Sequence, residues 1–356
     1  MEANTIHVDL GDHAYDIVVA PGLLDGVGGR VKALLPKAVR AAIVSDSNVA
    51  PLYADALRSS LEAAGLAVTL IVIPAGEQSK NMTVLANVLE ELAQAGLTRS
   101  DVLLTLGGGV VGDLGGFAAA SYMRGIAFVQ VPTSLLAQID SSVGGKVAVD
   151  LAAGKNLAGA FYQPKAVFID TSLLATLPVR FLHDGLAEAI KYGCIKDAAL
   201  FAQIAGYDSN AALLADIGSV ITACCNIKAR IVEQDEFDTG LRMLLNFGHT
   251  LGHAIEQHYG YGKYTHGEGV AIGMYQLTRQ TEAMGLTEAG TAARIAEVLQ
   301  KYNLPICADV PKSDLLETMA RDKKKAGGSI TLIILENIGS GRLHKINWQQ
   351  MPDYLG

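Results

Sequence analysis

The chain has 356 residues, half of them hydrophobic and 18% charged, with a formal net charge of −8. That length exceeds what one hydrophobic core usually organises, so two domains are expected. The acidic balance argues against nucleic acid as the main partner, because phosphate backbones select a positive surface, and no stretch is long and apolar enough to span a bilayer.

Strand and helix patterns alternate through the first half of the chain. "YDIVVA" and "RAAIVSD" have the β-branched runs of strands. "APLYADALRSSLEAAG" has the apolar spacing of a helix closed by Gly65. "LAVTLIVIPAG" predicts a strand leaving at Pro74, "NMTVLANVLEELAQAG" a second amphipathic helix, and "DVLLTLGGG" a buried strand running into glycines. "AFVQVPTS" and "AVFIDTS" read as further strands. This alternation predicts a mostly parallel sheet covered on both faces.

Beyond "TLPVRF" the pattern changes to helices: "GLAEAIKYGCI", "LLADIGSVITACCNIKARIVEQDE", "NFGHTLGHAIEQH", "HGEGVAIGMYQLTRQTEAMG" and "AGTAARIAEVLQKYN". Only "GSITLIILENIG" interrupts them, as a short hairpin or edge piece. The expected organisation is a Rossmann-like α/β nucleotide-binding domain over residues 1–178 and a mainly α-helical metal- and substrate-binding domain over 179–356.

Cys194, Cys224, Cys225 and Cys307 form no CxxC pair and read as reduced thiols. The N-terminal stretch has no basic region followed by an apolar run, so no secretory signal is read there. A cytoplasmic protein is expected.

Three stretches carry chemistry. "TLGGGVVGDLGGFAA" follows a strand and opens a helix, where glycines let backbone amides approach a phosphate. Its spacing fits neither GxGxxG nor the P-loop, and close strand–helix packing is the competing explanation. Asp46, at the end of an earlier strand, suits a ribose hydroxyl or a turn. "QIDSSVGGKVAVDLAAGKNLAGAFYQP" sets Asp140, Lys146, Lys155 and Asn156 among glycines, as a loop on which lysines converge on a phosphate or carboxylate. Arg124 in "SYMRG" is another potential anion clamp. Finally, His249 and His253 stand one helical turn apart in "LLNFGHTLGHAIEQH", His266 lies in "YTHGEG" and Glu188 in "GLAEAIKYG". One carboxylate and two imidazoles with an open position make a catalytic zinc set, which would leave His253 for proton transfer. Histidines on a helix surface are the alternative.

These stretches together resemble the 3-dehydroquinate synthase family over nearly the whole chain. The resemblance rests on "PAGEQSK", "GGGVVGDLGGFAAASYMRG", "QVPTSLLAQIDSSVGGKVAVD", "GKNLAGAFYQP", "TLPVR", "GLAEAIKYG", "LLNFGHTLGHAIE", "HGEGVAIGM" and "RDKK" in one order. It implies Glu188, His249 and His266 as ligands of one divalent metal, zinc or cobalt. It implies NAD+ contacts at Asp46, Glu77, Lys80, Gly108, Gly109, Asp113, Thr133, Ser134 and Thr176. Arg124, Lys146, Asn156, Lys191, Lys228, Arg242, Asn246, His253, Lys323 and Lys324 fall where that family holds the substrate's phosphate, carboxylate and hydroxyls, with Asp140 and Lys155 near both ligands. Ser134 replaces a usual threonine and keeps the hydroxyl. Asp238 replaces a usual glutamate with a shorter side chain.

The implied reaction turns 3-deoxy-D-arabino-heptulosonate 7-phosphate into 3-dehydroquinate and phosphate, in the shikimate route to aromatic amino acids. It runs by transient NAD-dependent oxidation, phosphate elimination, re-reduction and intramolecular aldol closure. A homodimer is implied as well. The competing expectations are another sugar phosphate cyclase and a metal-dependent polyol dehydrogenase.

Overall fold

A computed structural model describes residues 3–260, 262–323 and 328–355. The chain forms two compact units, residues 1–177 with 217–237, and residues 178–216 with 238–356.

The first unit is built on the β-branched runs. Its strands are β1 (Asn4–Val8), β2 (Tyr15–Ala20), β3 (Arg40–Asp46), β4 (Ala67–Ile73), β5 (Val102–Gly107), β6 (Ala127–Pro132), β7 (Lys146–Leu151), β8 (Gly154–Phe161) and β9 (Ala166–Asp170). Seven of them make one sheet in the order β1-β2-β9-β6-β5-β3-β4. All its pairings are parallel except the antiparallel edge pair β1–β2. Helices α1 (Val27–Leu34) and α2 (Ala50–Ala63) belong to the core on one face. Helices α3 (Met82–Gln94) and α4 (Gly109–Ser121) belong to the core on the other, together with Val147 and Val149 of β7. Leu57, Leu61, Leu92 and Leu104 are fully buried in these layers, each worth about 1.5–3 kcal/mol relative to exposure. Asn81 caps α3 by accepting from the backbone N–H groups of Thr83 and Val84.

Two features depart from the expectations. The lysine- and glycine-rich stretch around Lys146 and Lys155, read as a loop, is the antiparallel hairpin β7–β8. Its inward valines pack on α4, and its glycines lie where strand meets strand: a Cβ on Gly159 would stand 2.2 Å from the Val147 carbonyl oxygen. The other concerns residues 217–237, assigned by the sequence to the helical second half. Their helix belongs to the first unit: it packs on β1 and β2, and Val220, Ile221, Cys224 and Val232 on it are buried.

The second unit contains α5 (Val179–Lys196), α6 (Ala198–Gly206) and α7 (Asn210–Ala215), after which α8 (Ile217–Gln234) returns to the first unit. It continues with α9 (His249–His258), α10 (His266–Ala283), α11 (Thr291–Lys301) and α12 (Lys312–Lys323). Strands β10 (Ser329–Asn337) and β11 (Ser340–Asn347) make a separate two-stranded antiparallel sheet, the hairpin expected from "GSITLIILENIG". No described helix is long and apolar enough to cross a membrane.

Candidate active site

In the first unit, the order of strands reverses direction at β3, which lies between β4 and β5. The carboxyl ends of β3 and β5 therefore flank a topological switch point, the place where open α/β sheets bind ligands. Asp46 ends β3, and Gly107 ends β5. Gly108 is the N-cap of the 13-residue α4, and Gly109 is its first residue. The glycines of this turn divide into two kinds. A Cβ on Gly115 would stand 2.5 Å from Thr105 Cγ2, and one on Gly116 2.4 Å from Val147 Cγ1, so these two serve close packing. At Gly108 and Gly109 the nearest atoms to such a Cβ are the hydroxyls of Ser134 at 3.4 Å and Ser141 at 3.2 Å. The helix N-terminus there is lined by hydroxyls rather than by sheet side chains, a setting suited to an anion.

Asp46 also serves the turn it sits in, since its Oδ1 accepts from the backbone N–H groups of Asn48 at 2.8 Å and Val49 at 3.0 Å. Beside the switch point is a polar cluster. Lys80 Nζ lies 2.5 Å from Asp113 Oδ2 and donates to Asn156 Oδ1 at 2.6 Å. Burial opposes the charge on Lys80, but Asp113 outweighs it and raises the lysine pKa. Asn156 is in the left-handed region at φ 56°, and its N–H donates to Asp150 Oδ1 at 2.8 Å. Lys155 Nζ lies 3.3 Å from Glu77 Oε1. Lys228, on α8, donates to the Asp140 carbonyl at 2.6 Å and to its Oδ1 at 2.7 Å. Thr133 donates its N–H to the Gly107 carbonyl at 3.0 Å and ties β6 to the glycine turn. Ser134 Oγ accepts from Ala137 N–H at 3.3 Å. Thr176 Oγ1 hydrogen-bonds the Tyr53 hydroxyl. Lys146 is exposed at the start of β7. Arg124 is exposed on a turn where Met123 and Arg124 both have positive φ.

The second unit gathers the Glu/His/His set. Glu188 lies mid-helix in α5, and His249 and His266 are the first residues of α9 and α10. Two close approaches bring the helix starts together. Gly248, the N-cap of α9, is left-handed at φ 81°, and a Cβ there would meet the Val270 carbonyl oxygen at 2.6 Å. One turn on, a Cβ on Gly252 would stand 2.8 Å from the Gly269 carbonyl carbon. The start of α10 is fixed by a capping box between Thr265 and Glu268. Arg180 holds that glutamate through two hydrogen bonds of 2.9 Å. Asp184 of α5 accepts from the Gly267 N–H at 2.6 Å.

Glu188 is fully buried, at 0% exposure. Its Oε1 lies 3.5 Å from His249 Nε2 and 3.3 Å from His266 Nε2, and its Oε2 contacts Lys191 Nζ. Ligand atoms of Glu188, His249 and His266 all fall within 4.8 Å of one another. Burial, aided by Lys191, holds His249 well below the ordinary histidine range despite Glu188. Burial also opposes charge on His266, but Glu188 and Glu256 prevail and push its pKa up to about 10. The two rings thus differ, with positive charge favoured on His266 and disfavoured on His249. His253 is exposed, its ring centroid 5.2 Å from that of His249. A cavity of about 270 Å³ is lined by Asn246, His249, His253, Gln257 and Thr318, among others. Arg242 is buried at 2% exposure on the short helical turn before α9. Lys323 ends α12, and Lys324 lies outside the described residues.

Glu256, Asp184, Arg180 and Glu268 also shape this site and are not among the residues expected from sequence. Signals for two of them were present. Glu256 follows His249 and His253 at helical spacing, and "THGE" is a capping-box pattern.

A nucleotide-type switch point in one unit and a carboxylate–imidazole cluster in the other define a class, that of the sugar phosphate cyclase fold. The structure of 2-epi-5-epi-valiolone synthase from Streptomyces hygroscopicus, with NAD+ and Zn2+ bound, superposes with a TM-score of 0.84 at 27% identity, covering 96% of this chain and 95% of that one. A 2-deoxy-scyllo-inosose synthase complexed with carbaglucose-6-phosphate, NAD+ and Co2+ has the same fold, with a TM-score of 0.85 at 24% identity over 99% of both chains. The family models for the 3-dehydroquinate synthase N-terminal and C-terminal regions match residues 70–184 and 185–325. The 3-dehydroquinate synthase of Clostridium acetobutylicum is 48% identical over 352 residues, 99% of each chain. The chain belongs to the 3-dehydroquinate synthase family.

Proposed function

We propose that the chain converts 3-deoxy-D-arabino-heptulosonate 7-phosphate to 3-dehydroquinate and phosphate, as a carbon–oxygen lyase of the shikimate route, cytoplasmic and homodimeric. The observation that carries this reading is the Glu188/His249/His266 cluster in a chain of this family.

The residues present fit both implied groups. The fully buried Glu188 carboxylate, already in contact with Lys191, and two imidazole Nε2 atoms that converge on it are a donor set suited to zinc, with cobalt an alternative. Gly108 and Gly109 at the switch point suit the pyrophosphate of NAD+, with Asp46, Glu77, Lys80, Asp113, Thr133, Ser134, Lys155 and Thr176 as further contacts. When bound, NAD+ supplies a reversible hydride acceptor and the metal polarises the hydroxyl being oxidised.

The chain's own side chains do the rest in this reading. Lys191, against Glu188, and Asn246, beside His253 in the same cavity, orient substrate hydroxyls. Lys228 and Arg242 hold the carboxylate, and Arg124, Lys146, Asn156, Lys323 and Lys324 hold the phosphate, with Asp140 keeping Lys228 in place. His253, exposed to the cavity beside the metal set, moves protons among those hydroxyls.

The test is phosphate release from the heptulosonate phosphate with catalytic NAD+ and zinc, while absorbance reports net NADH. Phosphate release without NADH accumulation is expected. NADH accumulation with simple alcohols and no phosphate release would make the protein a polyol dehydrogenase instead.

A further inference from the structure

Glu256 has no part in the reaction as assigned above, yet its place is unusual for a carboxylate. It lies on α9 seven residues after His249 and is buried at 4% exposure. Its Oε1 is 3.0 Å from His266 Nδ1. Across the same ring, Nε2 is 3.3 Å from Glu188 Oε1. The imidazole is therefore held between two carboxylates, one at each nitrogen.

His249 reaches an equivalent state by another route. Its Nδ1 lies 3.1 Å from the Phe247 carbonyl oxygen, which can only accept, so the ring proton sits on Nδ1 and the Nε2 lone pair is left towards Glu188. His266 is followed by the first turn of α10, where no backbone carbonyl takes this part among the described residues. Glu256 supplies the acceptor. Gly269 makes room for it, since a Cβ there would stand 3.3 Å from Glu256 Oε1.

A second donor set overlaps the first: ligand atoms of His253, Glu256 and His266 also lie within 4.8 Å of one another. Both sets need His266. A carboxylate that accepts the Nδ1–H of His266 is engaged as a hydrogen-bond partner, and the ring then has only Nε2 to offer a metal.

We propose that Glu256 is a positioning residue for the metal set, fixing His266 with its proton on Nδ1 so that Nε2 joins Glu188 and His249, and so selecting this set over the one containing His253. The inference rests on the metal reading given under the proposed function. Acceptors behind a ligating histidine set its orientation and basicity, and their loss typically weakens metal affinity by about 10–100-fold.

The experiment measures zinc affinity of the metal-free full chain by competition with a chromophoric chelator, and records the visible spectrum after cobalt loading. Glu256→Ala is expected to bind zinc about 10–100-fold more weakly than the parent and to change the cobalt spectrum. Glu256→Gln keeps an acceptor oxygen and should lose less. If the alanine variant does not fold, Glu256→Met, which fills the space without an oxygen acceptor, decides, and an affinity equal to the parent's overturns the proposal. A folded Glu256→Ala protein that binds zinc as tightly as the parent, whatever its melting temperature, overturns it too, since a merely structural carboxylate would behave that way. A parent that binds no zinc, or a His249→Ala variant that still binds it fully, would instead bring down the underlying metal reading and this inference with it.

Discussion

Lys80 in the first unit and Glu188 in the second are both buried ionisable groups, and their neighbours differ in kind. Lys80 meets an opposite charge in Asp113 and a neutral acceptor in Asn156. Its partners are supplied by the fold. Glu188 meets Lys191, but two imidazole nitrogens also converge on it, and Glu256 adds a second carboxylate behind one of those rings. Lone pairs and carboxylates that converge on one point are a ligand set rather than a completed pair. Buried charge is thus paired within the fold in one unit and, in the proposed metal reading, open to a cation in the other.

Substitutions sharpen this contrast. The largest effect is expected at Glu188→Ala or His249→Ala: loss of bound metal together with a fall in turnover of about 10³-fold or more, since a polarising metal supplies several kcal/mol. Metal analysis and phosphate release measured on the same samples check it. His253→Ala should keep its metal and lose about 10²-fold or more in turnover, the scale of a proton-transfer group. At the Lys80–Asp113 pair the outcome reverses. Lys80→Ala should cost about 3 kcal/mol in urea unfolding by stranding Asp113, leave metal content unchanged, and be partly rescued by an apolar substitution of Asp113 in the same chain.

The smallest effect lies at a residue of neither cluster. Asp101 accepts from the N–H groups of Val39, Arg40 and Thr98 and from the Thr98 hydroxyl. Burial raises its pKa, but these hydrogen bonds outweigh burial and leave it lowered. A carboxyl depressed by folding contributes stability above its unfolded pKa of about 3.9, and loses it as pH falls through the folded value. Asp101→Asn should therefore destabilise by about 1–2 kcal/mol at pH 7, and the difference from the parent should shrink as unfolding is followed below about pH 4.

Where residues of one element carry their own periodicity, the sequence was readable. The strands β2 and β3 follow from β-branched runs, β4 and β5 from apolar runs that end at Pro74 and in glycines, and the packing role seen at Gly115 matches the close strand–helix packing that the glycine turn also allows. The β7–β8 hairpin was hidden because its inward face is only Val147 and Val149, while lysines and glycines dominate the rest. The placement of α8 was hidden for another reason: its apolar stripe predicts burial but not against which sheet. Within the site, the histidines stood out because imidazoles are rare and chemically specific. Glu256 shared their helical spacing and went unread, because a carboxylate on a helix is ordinarily solvated and only the fold shows that this one is buried.

The central claim is that α9 divides its two histidines between metal and substrate. The most direct measurement is the metal content of purified His249→Ala and His253→Ala proteins after zinc loading and desalting. The account predicts a near metal-free His249→Ala protein and a His253→Ala protein loaded like the parent. Loss of zinc from the His253 variant, with retention in the His249 variant, would contradict it.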